Sequence, residues 1–183
     1  MSVSNHNNEN YLFKIDEVRK DSICDAFFKW KDLNTFIKSM VSRGINMPDA
    51  ISEPLGCYCM GYYWNKNDGG DAMTPDGKKV EFKATSNFNY DLSSFGPHCN
   101  FDKLVFLRFD LNNNKLYIYD TKIDSQELKT LKVTKTATVG DYQQQGKRPH
   151  IRLIEEVIEK RNLEPDCIFN IRKGVIEYKK GEN

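Results

Sequence analysis

No run of about 18 apolar residues occurs anywhere in this 183-residue chain, so no part of it is expected to cross a membrane as a helix. The opening MSVSNHNNEN is polar and lacks the apolar stretch of a secretory signal. A soluble protein of the cytoplasm is expected. An even set of cysteines is also missing: Cys24, Cys57, Cys59, Cys99 and Cys167 are odd in number, and a chain of this length can bury a core without disulfides. They do not form the two close ligand pairs of a structural zinc site either, because Cys57 and Cys59 flank Tyr58 inside the apolar run LGCYCMGYYW. Buried, free thiols are the expectation. Strong charge bias is absent too, with 27 Lys and Arg against 26 Asp and Glu, so the local distribution of charge must say what the protein binds. Repeats and low-complexity segments are lacking.

What is present fits one compact domain over residues 1–183, with 39% hydrophobic residues and an Asn-rich N-terminal arm, residues 1–20, expected to be loosely ordered. Over residues 21–43, Ile23, Phe27, Trp30, Leu33, Ile37 and Met40 recur at helical steps, and Gly44 is placed to end that helix. A second helix is expected over NMPDAISEPLGCYCMGYYW, with Asn46 or Ser52 as its cap. KLVFLRFDLNNNKLYIYD reads as a hairpin turning at residues 112–114, followed by a short helix at 125–131, a helix at 153–161 and a last hairpin or edge strand in CIFNIRKGVIEYK. This order predicts an α/β fold, a mixed central β-sheet with flanking helices.

The segment DAMTPDGKKVEFKATS carries the chemistry. A three-residue turn at Pro75-Asp76-Gly77 pairs Thr74 with Lys78, which sets Met73 opposite Lys79, Ala72 opposite Val80 and Asp71 opposite Glu81. Directly opposed Cβ atoms are about 4.5–5.5 Å apart, so two carboxylates there repel unless a cation compensates, and a divalent ion is the natural one. Lys83 lies on the same face as Glu81, about 6.6 Å along the strand, while Val80, Phe82 and Ala84 point to an apolar face. Asp76, at the turn tip about 16 Å from Glu81 along the strand, serves the turn. Asp68 ranks second to Asp71, because Gly69 and Gly70 can break the alternation.

Asp71, a gap, then Glu81-Phe82-Lys83 after a hairpin turn resembles the PD-(D/E)xK nuclease superfamily, and specifically its small type II restriction endonucleases. Upstream, RGINMPDAISEPLGCYCMG looks like the helix these enzymes place before the catalytic hairpin, with Glu53 as an additional acid. Downstream, GDYQQQGKRPHIRL looks like their DNA-contacting segment. The likeness covers roughly residues 43–153 and is nearest to small enzymes cutting interrupted GC-N-GC palindromes. The literal Pro-Asp falls on Pro75-Asp76, so Asp71 is nominated by register and not by the dipeptide.

The resemblance implies a restriction-endonuclease-like fold and a prokaryotic, cytoplasmic homodimer that hydrolyses double-stranded DNA. It implies Mg²⁺ held by Asp71 and Glu81, which would polarise the phosphate and acidify a bound water. Lys83 would orient that water or stabilise developing charge, and Glu53 would hold water or position Lys83. Lys132, Lys135, Lys147, Arg148 and Arg152 stand against the lone acid Asp141 in KVTKTATVGDYQQQGKRPHIR. Gln143, Gln144, Gln145, Lys147, Arg148, His150 and Arg152 are the candidate DNA contacts. His98 beside a turn is read as structural. Two other readings stand beside this one: a structure-specific repair or junction nuclease, and a non-catalytic DNA-binding regulator.

Overall fold

A computed structural model describes residues 11–66 and 70–182. Its first helix, α1 (Glu17–Met40), starts four residues before the apolar period does, because the Asp16 carboxylate caps it by accepting the Arg19 N–H at 2.8 Å. It also stops short of Gly44, which has a different role. Asn34 is buried in α1 and its Oδ1 accepts the Ile45 N–H at 2.8 Å, folding the outgoing loop back under the helix. A Cβ on Gly44 would lie 2.0 Å from that same oxygen. The Trp30 indole N–H adds a bond to the Asn46 carbonyl at 3.1 Å. The second helix, α2 (Asp49–Met60), begins after Pro48 and ends on Gly61, whose φ of 73° is the left-handed C-terminal turn.

An eight-stranded mixed sheet forms the centre, as the order of elements in the sequence implies. In spatial order it runs β1 (Leu12–Lys14), β2 (Tyr63–Asn65), β3 (Ala72–Met73), β4 (Lys79–Thr85), β6 (Lys103–Asp110), β7 (Lys115–Asp120), β9 (Cys167–Asn170) and β10 (Val175–Lys179). Only β4 and β6 run parallel, joined by a crossover that carries the short strand β5 (Ser93–Ser94). The arm expected over residues 1–20 is ordered where it is described: β1 pairs with β2, and α1 begins at Glu17. Residues 1–10, and with them the rest of that expectation, lie outside the described part.

Strand β6 is buried on both faces, so it reads as a continuous apolar run. Val105, Leu107 and Phe109 meet α1 and α2 on one side, where Phe27 stacks on Phe109 at 5.9 Å. Leu104 and Phe106 meet the other layer: α3 (Ser125–Thr130), α4 (Val139–Gln144) and a π-helical segment, Ile154–Glu159, where an ordinary helix is expected. Cys57 and Cys59 are fully buried on the first side, while Cys99 packs against the second. The β5 strand pairs with β8 (His150–Ile151), and the buried Asp91 ties this ribbon to the π-helical segment. Its carboxylate accepts from the N–H groups of Leu153 and Ile154, both at 2.9 Å, and from the Ser93 hydroxyl at 2.8 Å.

Gly44→Ala tests how the loop between α1 and α2 is held. The added methyl must displace Asn34 and break its bond to Ile45, so a loss of about 1–3 kcal/mol in urea unfolding is expected.

Candidate active site

The hairpin has the register derived from its turn. Met73 pairs with Lys79 and Ala72 with Val80, the Thr74 N–H donates to the Lys78 carbonyl at 2.9 Å, and Gly77 takes the positive φ of 83°. The ladder stops at Ala72 and Val80: the Asp71 N–H also turns to the Val80 carbonyl, at 3.0 Å, so Asp71 does not enter the ladder as the partner of Glu81. Because β3 is two residues long, β4 has an open edge beyond Val80, and the Asp71 carboxylate occupies its start: Oδ2 accepts the Phe82 N–H at 2.7 Å. Glu81 and Lys83 stand on one face of β4, Nζ to Oε1 2.5 Å, both side chains about one-fifth exposed. The Lys83 ammonium also lies 5.2 Å from the centre of the Phe95 ring. Val80 and Phe82 enter the core as expected, whereas Ala84 is exposed, because the open edge leaves nothing to cover it. Asp76 stays at the turn, where it accepts from the Thr74 hydroxyl. Asp68 lies outside the described residues.

Glu53 reaches this edge from α2, and the approach depends on Gly56, one turn later. A Cβ there would sit 3.0 Å from the Phe82 ring and 3.2 Å from Leu107, so any side chain would push the helix off β4. The Trp64 indole on β2 donates to Glu53 Oε2 at 3.0 Å and fixes its rotamer. Burial, with the neighbouring Asp71 charge, pushes the Glu53 carboxyl up to about 8. Burial and the nearby Glu81 charge push Asp71 up to about 6, against the lowering effect of the Phe82 N–H and Lys83. The site is short of positive charge.

Two depressions meet here. One, of about 640 Å³, follows the open edge from Phe82 to Thr85 and is walled by Arg43, Asn46, Tyr90, Leu92 and His150. The other, of about 910 Å³, lies over Glu53, Asp71, Trp64 and Lys66. Asp49, one helical turn before Glu53, lines both, so they form one groove with the acids at its waist. A groove that presents carboxylates beside a lysine on an unpaired strand edge suits hydrolysis of an extended phosphodiester.

A model of the Bsp6I restriction endonuclease family matches residues 15–160. The type II restriction enzyme Bsp6I of Bacillus sp. (strain RFL6) is 47% identical over 160 residues, which span 87% of this chain and 92% of that enzyme. The chain belongs to the Bsp6I restriction endonuclease family. It is therefore a restriction endonuclease, a site-specific deoxyribonuclease whose substrate is DNA. Among the described residues no helix is long and apolar enough to cross a membrane.

Within this Bsp6I-family fold the expected DNA contacts divide. His150 lines the groove, and Arg152 stands beside it, its guanidinium 5.1 Å from the Tyr90 ring and 3.2 Å from Glu155. Gln144, Gln145, Lys147 and Arg148 are exposed at the end of α4 and just beyond, Lys147 donating to Gln145 at 2.7 Å. Gln143 is taken into the interior. Its amide donates to the Gly96 carbonyl at 2.8 Å and approaches the Cys99 sulfur at 3.3 Å, so it holds α4 to the crossover. Sequence reasoning did not find Trp64, Asp49, Arg43 and Tyr90. Asp49 and Glu53 share one helix face at a four-residue spacing, a signal legible in the sequence; nothing local points to the other three.

No group of three or more histidine, cysteine, aspartate or glutamate side chains suited to a metal occurs among the described residues. Asp71 and Glu81 fit a cation whose remaining ligands come from substrate and water, which is how Mg²⁺ is commonly held. Their surplus negative charge is the observation behind that fit.

The two raised carboxyls give a pH dependence. Their folded values lie above the unfolded ones of about 3.9 and 4.3, so the stability they allow is complete below about pH 4 and is lost as pH rises through about 6 and 8. Without divalent ions, the melting temperature should fall between pH 5 and pH 8.5. Glu53→Gln, which can still accept from Trp64, should flatten that fall and add about 1–2 kcal/mol at pH 8.5, read by thermal or urea unfolding in chelator.

Proposed function

We propose that this single-domain protein is a Mg²⁺-dependent type II restriction endonuclease. It hydrolyses double-stranded DNA at a short interrupted palindrome of the GC-N-GC kind and works as a homodimer in the bacterial cytoplasm. The observation that carries the chemistry is Asp71 fixed on the Phe82 N–H at the open edge of β4, with Lys83 of the same strand lining the groove and Glu81 paired to it. Membership in a restriction endonuclease family displaces the readings as a junction nuclease or a non-catalytic regulator.

Asp71 and Glu81 would hold magnesium, which would supply charge neutralisation and a more acidic water. Each side chain has its own part. Asp71 keeps one oxygen on the Phe82 N–H, so its other oxygen is aimed into the groove. Lys83, paired with Glu81 on the same strand, would orient the attacking water or stabilise the charge developing on the phosphate. Glu53, steadied by Trp64, accepts or returns a proton near neutral pH beside Asp71. Arg43, His150 and Arg152 meet the DNA backbone along the groove, with Gln144, Gln145, Lys147 and Arg148 beyond it. Tyr90 and Leu92, exposed at 43% and 57% in the groove wall, offer apolar contacts to sugars and bases. Cutting both strands of a palindrome calls for a dimer, because one site cuts one strand and a palindrome mirrors a protein two-fold.

Lys83→Ala should bind a cognate duplex within a few-fold of wild type yet cleave at least 10³-fold more slowly. Chelation of divalent ions should abolish cleavage in wild type, and cutting that persists in chelator would sink the metal-dependent reading. Lys147→Ala and Arg148→Ala should weaken binding to all sequences and each lower the salt slope by about 1 in fluorescence anisotropy. Gln143→Ala should leave that slope unchanged and lower the melting temperature instead, as expected of a buried amide.

A further inference from the structure

Helix α1 carries one apolar period along its length but only half of it is covered. Phe27 and Trp30 are buried on the sheet, and Lys31 bonds to the β6–β7 turn through the Leu111 carbonyl and, at 2.7 Å, through Asn114. That turn is where the sheet ends. Beyond it Leu33, Phe36, Met40 and Val41 are 51%, 63%, 72% and 54% exposed, with half-buried Ile37 among them. At helical spacing Leu33, Phe36, Ile37 and Met40 fall on one stripe, and Val41, the extended residue that caps the helix, follows it. A contiguous apolar surface of this kind on a soluble protein marks an interaction site.

We propose that this stripe is the dimer interface, occupied by the same stripe of a second copy of the chain. The inference rests on the homodimer reading above and assigns it a surface. Three observations select a second copy. First, the face is apolar and uncharged at its centre, and a two-fold contact sets a patch against itself, so an uncharged patch is self-complementary where a charged one would repel. DNA, a polyanion, has no claim on it. Second, the stripe ends at Val41, two residues before Arg43, which walls the groove. A two-fold contact on the stripe would therefore keep both groove rims near the dimer interface, within reach of a single duplex. Third, the other exposed edge suits the role less. Strand β10 has Val175 and Tyr178 exposed, but a bulge between Ile176 and Tyr178 breaks its edge, and it lies four strands from β4, roughly 19 Å across the sheet.

The test uses the full-length chain, free and on a cognate duplex with Ca²⁺ in place of Mg²⁺, followed by sedimentation velocity. Wild type should sediment as a dimer. The double variant Phe36→Glu, Met40→Glu should raise the dimer dissociation constant at least 100-fold, with an unchanged circular dichroism melt, and should turn supercoiled plasmid into nicked circles rather than linear DNA. Val18→Glu, on the same helix at a position 75% exposed, should remain dimeric. Phe36→Cys in a Cys99→Ser background should cross-link to twice the chain mass under mild oxidation, a readout that does not depend on destabilising anything. A wild type that is monomeric both free and on DNA overturns the homodimer reading itself. A dimeric wild type whose double variant stays dimeric and whose Phe36→Cys form does not cross-link overturns this surface alone, as does a double variant that stays dimeric but loses DNA affinity.

Discussion

The Asp71 carboxylate on the Phe82 N–H is the contact on which the rest of the site depends. An unpaired backbone donor inside a half-buried groove is costly, and a strand edge carries a row of them. Here the pairing strand is two residues long, so β4 is left open where its side chains turn chemical. The same bond that satisfies Phe82 fixes the Asp71 carboxylate at the edge of β4, close enough to Glu81 to feel its charge. On its other edge β4 pairs in parallel with β6, buried on both faces, over all of its residues from Val80 to Thr85. One edge of the strand is therefore structural and rigid, and the other is available to a substrate.

That arrangement concentrates acids. Asp49, Glu53 and Asp71 line one depression, Glu81 is near enough to act on Glu53 and Asp71, and Lys83 is already committed to Glu81. Under the proposed function a polyanion must nevertheless enter, and Arg43, His150 and Arg152 along the groove walls would receive it. Glu53 and Asp71 stay raised because burial and neighbouring acids outweigh the groups that lower them, which would leave them receptive to a divalent ion. Attraction of the backbone and preparation of the reacting phosphate would then fall to different residues.

How much of this the sequence disclosed depends on the range of the interaction. The turn at Pro75-Asp76-Gly77 is local, and from it the register as far as Ala72 and Val80 and the Glu81–Lys83 face follow by counting, whereas Asp71 is placed by its bonds to Val80 and Phe82. The buried run of β6 and the hairpin to β7 are equally local in origin. Glu53 is not: its place depends on Gly56 against Phe82 and on Trp64, contacts between elements far apart in the chain. Gln143 misleads for the same reason. A glutamine in a polar, basic stretch reads as exposed, but Gly96 and Cys99 of the crossover receive it. The start of α1 was hidden because periodicity marks where a helix is covered, while Asp16 marks where it begins.

Periodicity has a second limit, visible within α1 itself. Ile23, Phe27, Trp30, Leu33, Ile37 and Met40 form one unbroken pattern, and read alone it assigns them a common core. The pattern records only that a face is removed from water, and it is silent about what removes it. In the first half of the helix the cover is the sheet, with Phe27 on Phe109. In the second half the sheet has ended at the β6–β7 turn, yet the apolar residues continue past it at the same spacing, some of them more than half exposed. The returning loop covers one side of that second half, through Asn34 and Ile45, and leaves Leu33, Phe36 and Met40 outside its reach. One continuous signal thus spans residues that folding of the chain covers and residues that the proposed second copy would cover.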